Sequence, residues 1–402
     1  MTIHLYYENS YLTEFSGIVL EQRKLGNKSA VTLDQTGFYP TSGGQPHDTG
    51  MLGSAQVVEV EEDPWGAILH VVDSYVPLGP VSGRIDWERR FDHMQQHTGQ
   101  HILSQAFIKV AQAPTVSFHL GKETSTIDVE LSQPTSSLME QAEGLATQII
   151  FEDRLVTVLT VDREGLSALG VRKESSREGE IRVIDVEGFD RSPCGGTHVR
   201  RTGEIGMIAI LGFERYKGGT RVEFACGWRA LRTLRRDHEL LRELGKLYSS
   251  QPSDLQRLTE KLFQERAALS RDNAKLQDQI LDLEAQDLVN RADKSRRALL
   301  VRATYPGRSL ESVKVLAQKV AAHSRAIAIL AAVQETAQVV AARNTDVAGD
   351  CGAAIKQAAA RFGGKGGGKP EIAQAGSIAA AALDAWFQEL EIYFTNANQA
   401  AS

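Results

Sequence analysis

The segment at residues 194–198 reads Cys-Gly-Gly-Thr-His and comes directly after Pro193 and a short run of strand character. The proline and the two glycines favour a tight turn that lets the backbone approach a ligand closely. The turn carries a thiol and an imidazole, which are two of the ligand types that Zn²⁺ binds. A complete metal site needs further ligands, so the fold must bring another part of the chain to this turn.

A second segment, residues 97–101, reads His-Thr-Gly-Gln-His in a stretch that predicts a helix over residues 93–112, with Asp92 as its N-cap. Histidines four residues apart lie on one face of a helix and can converge on one ion. His93 stands one turn earlier, so the pair could equally be His93 and His97. One cysteine and three histidines form a normal ligand set for Zn²⁺, and this set would join a helix to a sheet.

The role of the predicted metal site stays open on these residues alone. Four protein ligands leave no coordination position for water, which is typical of a structural zinc. The segment is also not the His-Glu-x-x-His motif of metalloproteases, because Thr98 follows the first histidine and no glutamate base stands between the two histidines.

The third unusual segment, residues 36–45, reads Thr-Gly-Phe-Tyr-Pro-Thr-Ser-Gly-Gly-Gln. Taken alone, it predicts a hairpin corner of a barrel. It also suits a small polar pocket, in which Thr36 and Gln45 hydrogen-bond a substrate and the paired glycines let the backbone come close.

The order and spacing of these three segments resemble the editing domain of alanyl-tRNA synthetases and the free-standing AlaX-type editing proteins. The tracts at residues 202–206 and 219–223 match the strands that follow the cysteine turn in that family. Residues 363–376 are similar to the glycine-rich loop of the synthetase's C-terminal domain. The resemblance covers nearly the whole chain. Because no class II aminoacylation core precedes the barrel, a long-form AlaX protein is expected rather than a synthetase.

The resemblance implies hydrolysis of the ester that joins a wrong amino acid to tRNA(Ala). Serine is the expected amino acid, and removal of glycine as well is left open. A pocket for small side chains separates such amino acids by only about ten- to a few hundred-fold, so a second, editing site is needed. The metal would activate water or position the ester, and four protein ligands favour positioning. The zinc ligands that the resemblance implies are His97, His101, Cys194 and His198.

The resemblance also suggests roles for residues near the metal. Thr36 is the expected reader of the serine hydroxyl, and Gln45 is expected to orient water or the amino acid. The chain departs from the family at Gly99-Gln100, where the glycine costs the helix about 1 kcal/mol relative to alanine. It departs again at Thr220-Arg221, where many relatives carry two arginines, which leaves Arg221 as the expected tRNA contact there.

The pattern of apolar residues predicts a multidomain α+β protein. Clear helical segments are expected at residues 136–151, 351–362 and 377–393, and clear strands at residues 156–161 and 181–186. The predicted domains are a β-barrel domain at 1–85, a zinc-containing editing domain at 86–226, a helical coiled-coil arm at 227–298 and a C-terminal α/β domain with a Gly-rich loop at 299–402.

The predicted arm carries a leucine at every seventh position from Leu255 to Leu283. The complementary heptad position holds Arg266, Asn273 and Asp287, which is a poor core for a parallel zipper. Pro252 also interrupts the pattern. An antiparallel hairpin of two helices is therefore favoured over a dimeric zipper.

Basic residues of the C-terminal domain predict a contact with tRNA. Four cations with no carboxylate surround the exposed backbone of the glycine-rich loop, which suits phosphate or an unstacked base. A flexible loop without a ligand is the alternative. Similar proteins imply a homodimer through this domain. The cations are Lys356, Arg361, Lys365 and Lys369.

The composition of the 402 residues is that of a globular protein, with 42% hydrophobic and 24% charged residues. The net charge of −6 excludes a global basic field, so nucleic acid must be bound by local patches. Three scattered cysteines, no signal peptide and no membrane span favour the cytoplasm. Two rival functions stay open, a tRNA-binding module with a structural zinc and a scaffold built on the leucine stripe.

Overall fold

The computed structural model describes residues 2–25, 28–172 and 179–400 of the chain. The chain divides into two compact units, residues 1–252 and residues 253–402. Helices and strands mix in both units, which confirms the α+β class, whereas the finer division into four domains stays a prediction. No helix within the described ranges combines the length and apolarity that a membrane crossing requires.

A closed six-stranded β-barrel opens the first unit, as the sequence predicts. The barrel closes by antiparallel pairing in the order second, third, seventh, sixth, fifth and eighth strand, and the first strand pairs in parallel with the fourth beside it. The elements are β1 (Ile3–His4), α1 (Leu5–Glu8), β2 (Glu14–Leu25), β3 (Lys28–Leu33), β4 (Gln35–Thr36), β5 (Gly50–Leu52), β6 (Ala55–Glu62), β7 (Ile68–Val72) and β8 (Gly79–Ile85).

Alternating apolar side chains fill the barrel, because successive residues of a strand point to opposite faces. Val31 and Leu33 on β3 and Val57 on β6 are fully buried in its core. A buried ion pair then joins the barrel to the rest of the unit. Arg90 donates through Nε to both carboxylate oxygens of Asp48 at 3.0 Å, and neither side chain is exposed.

The remainder of the first unit places helices on antiparallel sheets. β14, β15, β10 and β9 form one sheet in that order, and β11, β12 and β13 form a second sheet. The elements are α2 (Trp87–Ala111), β9 (Thr115–Leu120), β10 (Ser125–Val129), α3 (Ser136–Phe151), β11 (Val156–Val161), α4 (Arg163–Ala168), β12 (Ile181–Val186), β13 (Asp190–Pro193), a 3₁₀ turn (Thr202–Ile205), β14 (Ile208–Tyr216), β15 (Gly219–Cys226) and α5 (Gly227–Leu247).

The α2 helix begins six residues before the predicted start, and the predicted N-cap is wrong. Asp86 caps the helix by accepting a hydrogen bond from the backbone N–H of Arg89. Asp92 instead accepts from Nε of Arg229 at 2.8 Å, at the start of α5. Because the first turns of α2 lack a regular apolar stripe, their helical character was not visible in the sequence.

The second unit is a five-stranded sheet between two layers of helices. β16 and β17 pair in parallel, and the other neighbours pair antiparallel in the order β16, β17, β18, β20, β19. One face packs on α7 and the end of α6, and the other face packs on α8 and α9. The elements are α6 (Leu255–Arg291), β16 (Leu299–Pro306), α7 (Leu310–Ala321), β17 (Ala326–Val333), β18 (Ala337–Arg343), α8 (Cys351–Phe362), β19 (Lys365–Gly368), β20 (Ile372–Ile378) and α9 (Leu383–Ala400).

The predicted glycine-rich loop is largely an edge strand, β19, that pairs with β20. A Cβ atom on Gly366 would lie 2.5 Å from the carbonyl oxygen of Gln374, so the glycines allow a close approach of backbones. Glycine disfavours strands, which hid this one in the sequence. The helix predicted over residues 377–393 is also shifted, since α9 begins at Leu383.

The leucine stripe of α6 does not form a buried seam within its unit. Leu262, Leu269 and Leu276 are more than half exposed, and the helix packs through Leu281 and Ala285 near its end. The two predicted arm helices, α5 and α6, fall in different units, so their antiparallel pairing stays a prediction.

Candidate metal centre and its surroundings

Four side chains from two distant segments converge in the first unit: His97 and His101 on α2, and Cys194 and His198 on the turn after β13. One ligand atom from each lies within 4.8 Å of the others. Sγ of Cys194 is 3.3 Å from Nε2 of His97 and 3.3 Å from Nε2 of His198. Ligand atoms of a tetrahedral zinc are roughly 3.3–3.6 Å apart. The donor set and its spacing therefore fit a tetrahedral metal ion such as Zn²⁺.

Each of the three imidazoles is held through its Nδ1. Nδ1 of His97 donates to Oε1 of Gln45 at 2.8 Å. Nδ1 of His101 lies 3.1 Å from Oδ2 of Asp190.

Nδ1 of His198 contacts Oγ1 of Thr98 at 3.1 Å. In each ring this leaves Nε2 as the nitrogen that can bind a metal, and such outer partners fix the ring orientation and the tautomer.

The electrostatics of the cluster favour a thiolate. Burial raises the pKa of the Cys194 thiol, but the surrounding histidines, including hydrogen bonds from His101 and His198, together hold this pKa well below its usual value. Burial lowers the pKa of His198 to about 3, so its ring is neutral. A thiolate and neutral imidazoles are the protonation states in which these side chains bind metal.

The cysteine turn is held close to α2. A Cβ atom on Gly196 would lie 2.2 Å from the His97 ring, so only glycine fits there. Nη1 of Arg182 donates to the carbonyl oxygens of both Cys194 and Gly196 at 2.8 Å. The same guanidinium lies over the ring of Tyr7 at 5.5 Å. Arg182 thus shapes the turn that carries two of the four side chains of the cluster.

The structure places Gln45 at the metal cluster, although its amide is already engaged. In addition to His97, Oε1 of Gln45 accepts from the backbone N–H of Thr197 at 3.2 Å, and Nε2 donates to Oγ1 of Thr197 at 2.9 Å. These contacts give Gln45 a direct role in holding His97.

Thr36 lies inside the barrel and is fully buried. Nδ1 of His70 contacts the carbonyl oxygen of Val31, so Nε2 of His70 is the acceptor for the Thr36 hydroxyl at 2.7 Å. The backbone N–H of Phe38 donates to the same hydroxyl oxygen. The hydroxyl proton of Thr36 is therefore committed within the barrel, which weighs against its predicted role as a reader of substrate.

Of the two histidine pairs that the sequence left open, the structure brings His97 and His101 to the cluster. His93 lies one turn away, and its Nδ1 is buried without a hydrogen-bond partner among the described residues. Burial lowers the pKa of His93 to about 2.

A cavity of about 650 Å³ opens beside the metal cluster and is bordered by His97, His101 and Cys194. Gln100, between the two helical histidines, lines the same cavity. Its Nε2 donates to Oγ of Ser104 at 2.7 Å, whereas its amide oxygen has no hydrogen-bond partner in the part of the chain that the structure describes. A fixed, unpaired acceptor next to a metal cluster can read a hydroxyl donor.

The predicted tRNA-binding cations have different surroundings. Lys356, Lys365 and Lys369 are exposed in the second unit. Arg361 is also exposed, but it forms an ion pair with Glu389 of α9, a carboxylate that the local sequence did not show.

Arg221 lies in the first unit and is paired with a carboxylate as well. Its Nε donates to Asp128 at 2.7 Å, and its guanidinium stacks over the ring of Tyr216 at 3.7 Å. Arg221 therefore has less freedom to meet a phosphate than its sequence suggests.

Sequence reasoning missed three residues that support the cluster: Asp190, Thr98 and Arg182. Asp190 stands four residues before Cys194, at the start of β13, and Thr98 follows His97. Their proximity to the motifs was the only available signal. The pairing of Asp190 with His101 depends on the tertiary fold and could not be deduced from spacing.

Two family models match the chain. The model described as threonyl and alanyl tRNA synthetase second additional domain matches residues 181–223, which include the cysteine turn. The DHHA1 domain matches residues 301–396 in the second unit. The C-Ala domain of the Aquifex aeolicus alanyl-tRNA synthetase covers 26% of this chain and 98% of its own, but a TM-score of 0.25 at 15% identity carries no argument.

Several curated relatives match most of the chain. The alanine–tRNA ligase of Pyrococcus abyssi is 30% identical over 92% of this chain, which spans only 41% of that ligase. The alanyl-tRNA editing protein Aarsd1-A of Xenopus laevis is 32% identical, over 72% of this chain and 73% of that protein. The alanyl-tRNA editing protein AlaX-L of Pyrococcus horikoshii is 30% identical, over 93% of this chain and 94% of that protein. The chain therefore belongs to the family of alanyl-tRNA editing proteins.

Proposed function

We propose that this protein is an aminoacyl-tRNA deacylase that hydrolyses the ester of Ser-tRNA(Ala), with Gly-tRNA(Ala) as a second substrate to be tested. The observation that carries the proposal is the cluster of three histidines and one cysteine, which borders a cavity of about 650 Å³. Membership of the editing family supplies the substrate class, since the relatives that match the chain over most of their length are named alanyl-tRNA editing proteins.

Zn²⁺ is the metal that this donor set suits best, because one thiolate and three imidazoles match its preference for sulfur and nitrogen in tetrahedral sites. When bound, the zinc would act as a Lewis acid on the ester or lower the pKa of a water to about 7. The chain's own contribution is to hold the four ligands in place.

Gln45 contributes by orienting His97, since its amide oxygen accepts the Nδ1 proton of that ring. Phe118 lies beside the same ring, with 5.2 Å between centroids, and lines the cavity. An aromatic face at this position suits stacking of a base such as the terminal adenine of tRNA. The ester would then lie close to the metal cluster.

Serine selectivity requires a group that contacts the serine hydroxyl, because a site without such a reader would also remove alanine. Thr36 was the expected reader, but its hydroxyl proton is committed to His70. We favour Gln100, whose amide oxygen has no donor partner among the described residues and whose side chain lines the cavity. An alanyl ester would leave this acceptor unpaired, which costs binding energy.

Contacts with the body of tRNA are proposed for the exposed lysines of the second unit, Lys356, Lys365 and Lys369, together with Arg361 and Arg221. Lys365 begins the glycine-rich edge strand β19 and Lys369 follows it, and backbone N–H groups beside cations suit phosphate. Homodimer formation through the second unit is proposed from the likeness to similar proteins.

A deacylation assay on Ser-, Gly- and Ala-tRNA(Ala) tests the function directly. The full-length protein should hydrolyse Ser-tRNA(Ala) much faster than Ala-tRNA(Ala), lose this activity with a chelator and regain it with Zn²⁺. Absence of hydrolysis from protein with a full metal complement would overturn the proposal.

That negative result would favour the second function, a tRNA-binding module with a structural zinc. The observation behind this alternative is that four protein ligands fill a tetrahedral shell. A binding module would retain affinity for uncharged tRNA(Ala) in the same experiment and would show no hydrolysis of any of the three esters.

A further inference from the structure

A second cavity, of about 490 Å³, lies in the first unit next to the cavity at the metal cluster. The same three elements border both cavities. α2 contributes His97 to the first and His93 to the second, and the loop between β4 and β5 contributes Gly43 and Pro46, respectively. The β9 segment likewise runs from Phe118 at the first cavity to Lys122 at the second. The two cavities therefore border neighbouring parts of the same three segments.

Cations dominate the second cavity. Lys122 and Arg232 line it, and within the described ranges their side chains form no ion pair or hydrogen bond. Arg89 donates through Nε to the backbone carbonyl oxygen of His47 at 2.9 Å and likewise has no carboxylate partner there. Three positive charges thus face this cavity without an ion-pair partner among the described residues.

The carboxylates around the second cavity are mostly engaged elsewhere. Asp92 is paired with Arg229, and Asp86 caps α2 and accepts a hydrogen bond from the hydroxyl of Thr49. Glu88 remains as the lining carboxylate without a partner among the described residues. The net charge of the residues that line this cavity is therefore positive, although the net charge of the whole chain is −6.

His93 provides an independent sign of a ligand. The residue is 3% exposed and lines the cavity, and its Nδ1 has no hydrogen-bond partner in the described chain. A buried polar atom without a partner costs free energy, so such atoms are rare unless a ligand or water satisfies them. In a neutral imidazole Nδ1 either accepts a hydrogen bond, which suits a ribose hydroxyl, or donates one, which suits a phosphate oxygen.

We propose that this second cavity, lined by Arg89, His93, Lys122 and Arg232, binds the sugar-phosphate backbone of the RNA strand whose aminoacylated end occupies the metal cavity. The inference rests on the proposed function, because the ester must be at the metal cluster for the neighbouring nucleotides to reach the second cavity. His93 and His97 are one helical turn apart on α2, so the backbone would continue directly from the reacting end.

A comparison of two substrates distinguishes an effect on the second cavity from an effect on the metal cluster. Seryl-tRNA(Ala) carries the backbone phosphates, whereas the seryl ester of adenosine carries none. The variants Lys122→Glu and Arg232→Glu replace exposed side chains that form no hydrogen bond or ion pair among the described residues, so both should fold and bind metal as the parent protein does. Arg235→Glu, an exposed position on the same helix that does not line the cavity, is the matched control for net charge.

We expect Lys122→Glu and Arg232→Glu each to raise KM for seryl-tRNA(Ala) about tenfold or more, because each replaces an attraction to phosphate by repulsion. The slope of log KM against the logarithm of the salt concentration should decrease in each variant by the amount that corresponds to roughly one phosphate contact. Hydrolysis of the seryl ester of adenosine should be unchanged, and Arg235→Glu should behave as the parent protein with both substrates.

Two outcomes would overturn the proposal. In one, the parent protein hydrolyses both substrates and the Lys122 and Arg232 variants keep their KM for seryl-tRNA(Ala). In the other, Arg235→Glu is impaired as strongly as they are, which would mean that net charge and not the cavity matters. If the parent protein hydrolysed neither substrate, the proposed function itself would fail, and the RNA site would fail with it.

Discussion

Oε1 of Gln45, in the loop between β4 and β5, accepts a hydrogen bond from Nδ1 of His97 at 2.8 Å. The contact spans 52 residues of sequence and joins the barrel to the helix that carries two of the metal-binding side chains. Because Gln45 is fully buried, no water competes for this bond. The barrel therefore acts on the metal cluster through the orientation of one imidazole.

Removal of this contact should weaken metal binding. Gln45→Ala is expected to lower the affinity for Zn²⁺ about 10- to 100-fold, as loss of an outer partner of a metal-binding histidine typically does. Competition with a chromophoric chelator measures the change. Gln45→Glu, which keeps an oxygen acceptor for His97, is the matched control and should retain affinity within a few-fold. Equal affinity in Gln45→Ala would show that His97 does not depend on the barrel.

The metal content of the pure protein tests the cluster itself. We expect one zinc per chain and a loss of both zinc and deacylation in Cys194→Ala, because this change removes the only thiolate of the cluster. His93→Ala should keep its zinc, since His93 lies outside the cluster. Elemental analysis of the three proteins measures this. A Cys194→Ala protein with full zinc and activity would exclude the proposed ligand set.

The selectivity for serine over alanine shows whether Gln100 or Thr36 contacts the serine hydroxyl. Gln100→Leu should slow hydrolysis of Ser-tRNA(Ala) about three- to tenfold, which corresponds to loss of one hydrogen bond of about 0.5–1.5 kcal/mol, and should leave Ala-tRNA(Ala) hydrolysis nearly unchanged. The ratio of the two rates is the measurement.

Thr36→Val provides the contrasting case. It removes the hydrogen bonds to His70 and to the backbone of Phe38, so the barrel should lose about 1–3 kcal/mol of stability and both substrates should slow together. The melting temperature and the two rates test this. A narrowed Ser/Ala ratio in Thr36→Val, with an unchanged ratio in Gln100→Leu, would restore Thr36 as the reader.

Elements with a clear local pattern could be predicted from the sequence. α3, β11, β12 and α8 have the bounds that their apolar spacing and flanking residues indicate. The pairing of a histidine helix with a cysteine turn was also accessible, because few residue types bind zinc. These features depend on signals that lie within a few residues of one another.

Features that depend on long-range partners could not be predicted. Arg361 looked like a free cation until the fold brought Glu389 to it, and Asp92 looked like a helix cap until Arg229 proved to be its partner. β19 was hidden because glycines are used there for close packing and not for strand propensity. Contacts across many residues leave no periodic trace in a single sequence.

Truncation tests which part of the chain the catalytic site requires. The fragment 1–252 should fold, bind zinc and hydrolyse the seryl ester of adenosine, because all four metal-binding side chains lie in the first unit. Its KM for Ser-tRNA(Ala) should rise, since the proposed lysine contacts lie in the second unit. The fragment 1–226 should be less stable, because it lacks Arg229, the buried partner of Asp92. An unchanged KM for Ser-tRNA(Ala) in 1–252 would contradict this division.

Acidification should destabilise the barrel through His70. Burial lowers the pKa of this side chain to about 4, against 6.5 for an exposed histidine. Between these two pH values the unfolded chain therefore binds more protons than the folded chain. The contribution of neutral His70 to the free energy of unfolding is complete above pH 6.5 and is lost as the pH falls toward 4. Between pH 7 and pH 5 the loss should be about 2 kcal/mol.

Urea unfolding of the parent protein and of His70→Gln at both pH values measures this loss. Every other pH-dependent contribution is shared by the two proteins, so the difference between them isolates His70. An equal pH dependence in the two proteins would show that His70 is not held neutral in the folded barrel.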